Sequence, residues 1–265
     1  MFSSVIGSQG SMQTDFGEQM LNTVASQSIR RMFSESESVD VNIRCFPSSK
    51  LLQGSIDSVK MQGRGLVIRR QFQVQEMSFE TDAIAIDFGS VLKGQIRLKQ
   101  PTQAIAQVVL SEDGINRAFN AELVQRRLSE VVLSGDHTLP VEGPISFSEV
   151  FIKLLPANQI EVHAKATLAD QSVVPVAVRT TLSVERRRRL LFSNPAFLAD
   201  LVSDAERDLS RTLSDQLVTI LNTMIDLDRF DLDGVEMRIN RVETQAQQLL
   251  FSGYAQINHF PGAGL

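Results

Sequence analysis

The sequence predicts an α+β fold built on a mainly antiparallel sheet with one long helix. The predicted segments follow the order α, β-rich, α, β-rich, long α, β. Strands follow one another through short turns, which is typical of antiparallel pairing. Of the 265 residues, 43% are apolar and 22% are charged, which is the composition of a globular chain with a full core. A Ser-, Gln- and Gly-rich stretch, residues 1–14, is expected to be a disordered tail.

The first half of the chain predicts one helix and then a run of strands. Apolar residues fall on one stripe of residues 15–33, as in an amphipathic helix. Beyond it, apolar and polar residues alternate, as in half-buried strands. The second and third strands would form a hairpin around Arg69 and Arg70, and a slip in the alternation between Val74 and Met77 predicts a bulge. The predicted strands are residues 39–46, 54–68, 71–80, 81–88 and 101–110.

The second half predicts two helices with strands between and after them. Ser111 is a suitable cap for a helix over residues 112–128. Asn194 and Pro195 would cap and begin a long helix that reaches residue 226. This helix would be roughly 45 Å long at about 1.5 Å per residue. The remaining predicted strands are residues 145–155, 159–170, 173–185, 230–241 and 248–260.

The composition excludes several classes of function. A net charge of −5 provides no positive field to neutralise nucleic-acid phosphates. The single cysteine, Cys45, excludes an intramolecular disulfide and any site with several cysteine ligands. The histidines His137, His163 and His259 lack the spacing of a metal site, and no nucleotide-binding or nucleophile motif is present. The sequence therefore predicts no nucleic-acid partner, no metal, no cofactor and no enzymatic activity.

The sequence also bears on the compartment. There is no run of about 18 apolar residues that could span a bilayer. The first basic residue is Arg30, and no apolar stretch of the signal-peptide kind precedes it. We therefore expect a cytoplasmic protein, for which peripheral contact with a membrane is allowed.

Four consecutive arginines, Arg186, Arg187, Arg188 and Arg189, are unexpected in an acidic chain. Consecutive strand residues point to opposite faces, so the four charges cannot all be buried together. Two interpretations stay open. The arginines would contact anionic lipid headgroups or a membrane surface, or they would form a solvated strand-to-helix junction paired with acids such as Glu185.

Several short motifs resemble the LmeA-like phospholipid-binding family of bacterial proteins. They comprise the Pro-Ser and Leu-Leu-Gln-Gly pieces of residues 47–54, the Gly-Arg-Gly of residues 63–65 and the Phe-Glu-Thr-Asp of residues 79–82. The likeness returns in the Phe-Asp-Leu-Asp-Gly of residues 230–234 and in residues 253–261. These motifs consist of turns and strand patterns, and the family offers no catalytic signature to look for.

The resemblance implies non-enzymatic binding of phospholipid or another acyl lipid, which the protein would transfer or present. It also implies a fold similar to the tubular lipid-binding domains, in which a long curved sheet wraps a long amphipathic helix around an oily groove. Residues 15–265 would then form a single elongated domain. A strand of a dozen residues spans about 40 Å at about 3.3 Å each, which is long enough to cover an acyl chain. The alternative is a structural or interaction protein of the same fold with a filled core and no ligand.

If the resemblance holds, the acyl chains should contact apolar side chains of the strands and of the long helix. The glycines Gly54, Gly63 and Gly65 are expected to be bend points of the sheet rather than ligand contacts. The predicted lining residues are Ile56, Val67, Phe79, Ile84, Ile86, Val162, Ala164, Ala166, Val176, Val178, Leu209, Leu213 and Leu217.

Overall fold

The computed structural model describes residues 19–259, except residues 20–21, 28, 48, 92, 94, 96, 133–142 and 225–233. The predicted disordered tail lies outside the described residues. The strands are β1 (Ser38–Arg44), β2 (Ser55–Ile56), β3 (Ser58–Ile68), β4 (Phe72–Thr81), β5 (Ile84–Ala85), β6 (Thr102–Ser111), β7 (Ser146–Leu154), β8 (Gln159–Thr167), β9 (Val173–Glu185), β10 (Arg189–Phe197), β11 (Val235–Gln245) and β12 (Gln248–Ile257). The helices are α1 (Ser49–Leu52), α2 (Phe88–Val91), α3 (Glu112–Phe119), α4 (Glu122–Leu128) and α5 (Arg207–Met224). Residues 22–27 and 29–30 are also helical, and Ala199–Leu201 form a 3₁₀ turn.

The strands form two large antiparallel sheets, which confirms the predicted α+β class. The first sheet has six strands in the order β1-β3-β4-β6-β12-β11, and the second has four in the order β10-β9-β8-β7. A short third sheet pairs β2 with β5. The strands are therefore divided between separate sheets, whereas the resemblance implies one long sheet. α5 packs against β9 and β10 of the four-stranded sheet.

One face of the six-stranded sheet, here called the inner face, is apolar across all its strands. Directly paired residues of antiparallel strands point to the same side of a sheet. This face packs against helical residues near the N-terminus, which include Ala25 and Ile29. One row across the inner face consists of Val41, Met61, Phe79, Ala106, Gly253 and Ile239.

A second core lies beneath α5 on the four-stranded sheet, and it also includes Ile239, Val242 and Leu249 of β11 and β12. Leu213, Leu217 and Leu221 of the helix are fully buried there, as is Val178 of β9. Apolar side chains at helical spacing place one face of α5 on the alternating apolar face of the sheet. The Ser210 hydroxyl also donates a hydrogen bond of 2.5 Å to the carbonyl oxygen of Pro175.

Two asparagine side chains close the edges of the four-stranded sheet. Asn116 of α3 accepts from the backbone N–H of Ile152 at 2.7 Å and donates to its carbonyl at 2.9 Å. Asn222 of α5 accepts from the N–H of Phe192 at 2.7 Å and donates to its carbonyl at 3.1 Å. Ile152 lies on β7 and Phe192 on β10, which are the two edge strands of this sheet. On each edge, an asparagine side chain makes the two backbone hydrogen bonds that a neighbouring strand would otherwise make.

A third asparagine joins the two sheets. Asn158, in the turn between β7 and β8, accepts from the N–H of Thr244 at 2.9 Å and donates to the carbonyl of Val242 at 3.0 Å. The Thr244 hydroxyl in turn accepts from the N–H of Asn158 at 2.9 Å. The four-stranded sheet is therefore attached near the end of β11, at the end of the six-stranded sheet opposite to the β1–β2 connection.

The long helix begins later than the sequence predicts. Asn194 and Pro195 lie in β10, where the register with β9 shifts between Ser193 and Ala196 and Asn194 has a φ of +53°. A bulge on an edge strand tolerates a residue without an N–H group. The Asn-Pro pair, which resembles the start of a helix in the sequence, therefore forms a bulge in β10. α5 begins at Arg207 and its 18 residues span about 27 Å at about 1.5 Å each.

Other predicted elements agree with the structure or differ in detail. The hairpin around Arg69 and Arg70 is confirmed, and both residues have positive φ. Ser111 caps α3 by accepting from the N–H of Gly114 at 3.0 Å, although the predicted helix over residues 112–128 is divided into α3 and α4. Of predicted strand 81–88, Thr81 ends β4 and only Ile84 and Ala85 form a separate strand, β5, since α2 begins at Phe88.

The bulge predicted between Val74 and Met77 is wrong. β3 and β4 keep one register on both sides of this point, where Leu66 pairs with Val74. The slip in the alternation arises from Gly65, whose φ of +56° bends β3 so that the Leu66 side chain turns back over Gly63. β4 follows that bend without an inserted residue, and Gly65 is the bend point that the sequence predicts.

Candidate functional site

The middle of the inner face is apolar and only half-buried. Met77 of β4 pairs directly with Val108 of β6, and Val108 pairs with Phe251 of β12. All three side chains therefore lie on the inner face, and all keep part of their surface accessible. We call the half-buried apolar residues of this face the apolar strip, which consists of Met77, Phe79, Val108, Leu110, Val235, Met237 and Phe251.

Small residues form the floor of the strip on the two central strands. Ala104 and Ala106 of β6 lie beside Ala255 and Gly253 of β12. Side chains this short leave the neighbouring Met and Phe side chains standing higher than the floor. The floor is buried, with Ala104 and Ala255 no more than 3% exposed, so the accessible surface belongs to the taller residues around it.

Gly253 is required by the backbone of the adjacent strand. A Cβ atom at this position would lie 1.9 Å from the carbonyl oxygen of Arg238. The approach is this close because β11 shifts its register between Ile239 and Arg241. The glycine of the terminal motif therefore serves the packing of β11 on β12 and leaves the floor of the strip flat.

The opposite, outer face of the six-stranded sheet is charged on β3 and β4, whereas Ile105 and Tyr254 are exposed on its central strands. Lys60 and Glu80 form an ion pair of 3.4 Å on it, and Arg64 and Glu76 form one of 3.6 Å. Both pairs join exposed side chains of β3 and β4. The alternation of these strands thus separates a charged face from an apolar one, which identifies the inner face as the surface suited to an apolar ligand.

The predicted lining residues of the first half of the chain occupy three places. Ile56, Ile84 and Ile86 are buried at the end of the six-stranded sheet that carries β2 and β5. Phe79 belongs to the apolar strip. Val67 is half-buried and borders a cleft of about 400 Å³, whose lining also includes Glu35, Glu37, Gln73 and Arg117.

The remaining predicted residues lie in the core of the four-stranded sheet. Leu209 is half-buried against it. The structure therefore divides the predicted lining between two cores and does not bring it together in one groove. The buried members of this second group are Val162, Ala164, Ala166, Val176, Val178, Leu213 and Leu217.

Two clefts in the described part of the chain are lined mainly by polar residues. The first is the cleft beside Val67. The second, of about 340 Å³, is lined by helical residues near the N-terminus, among them Asn22, Thr23 and Arg30, and by Val39. Neither cleft is an apolar tunnel.

The arginine run forms the turn of a hairpin and connects the two sheets. Arg186 and Arg187, with φ of +49° and +62°, lie in the turn between β9 and β10. The carbonyl of Arg187 accepts from the N–H of Ile239 on β11 at 2.8 Å. Its guanidinium carbon lies 5.6 Å from the ring centre of Tyr254. The predicted strand-to-helix junction is thus wrong, because β10 follows the turn; a headgroup contact by the exposed arginines stays a prediction.

His163 lies 3.8 Å from a Glu161 oxygen, but both are on the outer surface of the four-stranded sheet. Arg179 binds the other Glu161 oxygen at 2.6 Å, and this hydrogen bond holds the pKa of Glu161 below its ordinary value. Among the described residues, no group of three or more His, Cys, Asp or Glu side chains could hold a metal ion. His137 lies outside the described residues.

No helix in the described part of the chain is both long and apolar enough to cross a membrane. A family model described as LmeA-like phospholipid-binding matches residues 12–253. Neither a comparison with curated proteins nor one with solved structures found a match. The family match covers both sheets, including the strands that carry the apolar strip, and it confirms the resemblance inferred from the short motifs.

Proposed function

The chain belongs to the LmeA-like phospholipid-binding family, and from this premise we propose that it holds phospholipid non-covalently, with acyl chains along the apolar strip. The observation that carries this placement is the half-buried apolar middle of the inner face. The family is described by binding and not by a reaction, which fits a protein without enzymatic activity. Transfer or presentation of the bound lipid would follow from such reversible binding.

The dimensions of the strip suit an acyl chain. The strip crosses four adjacent strands, β4, β6, β12 and β11. Neighbouring strands are separated by about 4.8 Å, so it is about 14 Å wide. One acyl chain covers about half of a bilayer core of about 30 Å. Each CH₂ group removed from water contributes about 0.8 kcal/mol, so apolar contact alone can hold the chain without a polar partner.

The groove beside the long helix is the less suitable place. Leu213 and Leu217 of α5 are fully buried against the four-stranded sheet, as is Val178 opposite them. An acyl chain could enter only if these side chains moved apart, which would cost the packing they now make. The strip requires no such opening, because its Met and Phe side chains are already partly accessible. A tubular arrangement around the lipid would then be formed by the six-stranded sheet.

A structural or interaction role without ligand is the second candidate. It is favoured by the filled core of the four-stranded sheet, in which Phe147, Ile160 and Leu213 are no more than 1% exposed. It is also favoured by the polar lining of both clefts. These two observations concern regions outside the strip, so a direct measurement of bound lipid separates the candidates.

The test is lipid extraction and mass spectrometry of the purified protein, together with uptake from phospholipid vesicles. The wild-type protein should carry phospholipid. The Met77→Ser/Phe251→Ser variant should retain about tenfold less, since it replaces apolar contacts of the chain with hydroxyl groups. Leu123→Ser is the matched control, because Leu123 is 54% exposed on α4 and lies outside the strip.

Absence of lipid from the wild-type protein, with no uptake from vesicles, would contradict the proposed function and favour the interaction role. A folded double variant that retains the wild-type amount of lipid would contradict the placement on the strip. Thermal unfolding followed by circular dichroism establishes that the variants are folded.

A further inference from the structure

The loop between β1 and β2, residues 46–54, is held at its base by one carboxylate. Asp57 accepts from the backbone N–H of Phe46 at 2.6 Å and binds the Lys50 ammonium group at 2.7 Å. The hydrogen bond from Lys50 holds the pKa of Asp57 below its ordinary value, so the anchor stays charged. Leu51 is buried beneath the loop, and Gly54 approaches Ile86 so closely that a Cβ would lie 2.2 Å from its carbonyl oxygen.

Two large apolar side chains of this anchored loop point into solvent. Phe46 is 78% exposed and Leu52 is 71% exposed. Among the described residues, only Val132, at 73%, is an apolar side chain of comparable exposure. The buried side chain of Leu51 already anchors the loop. The exposed side chains of Phe46 and Leu52 therefore add no packing that would stabilise the fold. Exposed apolar residues grouped in one element indicate a surface that contacts a partner.

Basic residues outnumber acidic ones in the segments next to this loop, in an otherwise acidic protein. Residues 44–58 and 82–101 carry five basic side chains and three acidic ones, although the whole chain has a net charge of −5. The Lys99 ammonium group lies 3.4 Å from the carbonyl of Gln53, beside Leu52. The pairing of β2 with β5 brings both segments to the same end of the six-stranded sheet, away from the four-stranded sheet.

We propose that the loop of residues 46–54 docks the protein on an anionic phospholipid bilayer, with Phe46 and Leu52 entering the interface and the neighbouring basic residues facing the headgroups. A bilayer matches both features, because it offers an apolar interior beneath a negatively charged surface. The Arg186–Arg189 turn is less suited to this role, since the Arg187 carbonyl is hydrogen-bonded to Ile239 and its guanidinium group lies over the Tyr254 ring. This inference goes beyond the proposed function, because surface docking and acyl-chain binding are separable.

The first test uses the absence of tryptophan from the sequence. Phe46→Trp introduces a single tryptophan as a fluorescent reporter at an exposed position of the loop. Its emission should shift to the blue with vesicles that contain phosphatidylglycerol, and brominated acyl chains should quench it. Phe151→Trp is the matched control, because Phe151 is an exposed phenylalanine on β7 of the four-stranded sheet. Its emission should not change.

The second test is co-sedimentation with vesicles of phosphatidylcholine, with and without phosphatidylglycerol. Phe46→Ser/Leu52→Ser should weaken binding to the anionic vesicles more than about tenfold, whereas Val132→Ser should not. Lys93→Glu and Arg97→Glu should each weaken it about fivefold, and added salt should weaken it further. Arg186→Glu is the matched charge control outside the loop and should weaken binding less than Lys93→Glu or Arg97→Glu.

Lipid extracted from purified Phe46→Ser/Leu52→Ser should equal that of the wild-type protein, because the apolar strip is intact. This measurement distinguishes failure of the docking proposal from failure of the proposed function. The docking proposal is overturned if the wild-type protein does not bind anionic vesicles, even if the loop binds a protein instead. Equal quenching at Phe46→Trp and Phe151→Trp, or undiminished binding by the double serine variant, would overturn it as well.

Discussion

The two large sheets each have an apolar face, but the two faces differ in how much of their surface is accessible to solvent. The apolar face of the four-stranded sheet is closed, since Val162, Val178, Leu213 and Leu217 there are inaccessible to solvent. On the inner face of the six-stranded sheet, Met61 and the small central residues Ala104 and Ala255 are buried as well. The taller residues in its middle, such as Met77 and Phe251, are only half-buried. Apolar composition alone therefore does not distinguish a core from a binding surface. The distinction lies in how completely other elements of the fold shield the apolar side chains from solvent.

The difference has identifiable causes. α5 supplies the four-stranded sheet with a continuous apolar stripe, and Asn116 and Asn222 satisfy its two edge strands. On the six-stranded sheet, the central strands carry Ala104, Ala106 and Gly253, whose side chains are shorter than those of the half-buried residues beside them. We interpret the first region as the stabilising half of the molecule and the second as the half that binds.

The largest expected effect is the loss of a closed-core side chain. Leu217→Ala should lower the free energy of unfolding by about 2–5 kcal/mol, because it leaves a cavity that neighbours cannot fill. Met237→Ala on the apolar strip should cost only about 1 kcal/mol, since that side chain is already partly in water. Chemical denaturation of both variants with their lipid removed measures the difference.

Thr219→Ala serves as the control, because Thr219 is an exposed position of the same helix. Equal destabilisation by Leu217→Ala and Met237→Ala would show that the inner face is packed as tightly as the core. The contrast between the two sheets would then be lost.

A smaller effect is expected from opening one sheet edge. Asn222→Ala removes both hydrogen bonds to Phe192, which is itself only 4% exposed, and leaves its peptide groups without these partners. An unsatisfied buried polar group costs about 1–3 kcal/mol. Hydrogen exchange should also become faster at the Phe192 amide of β10 while amides of the six-stranded sheet stay unchanged.

Asn222→Asp tests whether the whole amide is required, because a carboxylate accepts from the N–H but cannot donate to the carbonyl. It should recover only part of the lost stability. If Asn222→Ala leaves exchange and stability at wild-type values, the edge does not need its cap, and the closed character of this region rests on α5 alone.

Most strands of the fold were predictable because they alternate apolar and polar residues over many positions. The start of α5 was not, because Asn194 and Pro195 imitate a helix cap although they occupy a bulge of β10. The hairpin between β9 and β10 was hidden as well. Its turn places Arg186 and Arg187 at positive φ, where Asn and Gly are the expected residues.

The candidate site was predictable only in part. Periodicity identifies which residues face inward, and the predicted lining residues Val178 and Leu213 do lie on buried faces. It cannot show how completely a face is covered, because that depends on which elements pack there. Phe79 was selected, whereas Met77 and Phe251 of the same strip were not; the small residues at Ala104, Ala106 and Gly253 were the available signal.

The most direct measurement is photocrosslinking of the wild-type protein with a phospholipid that carries a diazirine on its acyl chain, followed by peptide mapping. We predict adducts on β4, β6 and β12, at or beside Met77, Val108 and Phe251. Adducts concentrated on α5 between Leu209 and Leu217, with none on the strip, would contradict this prediction and would place the lipid between the helix and the four-stranded sheet.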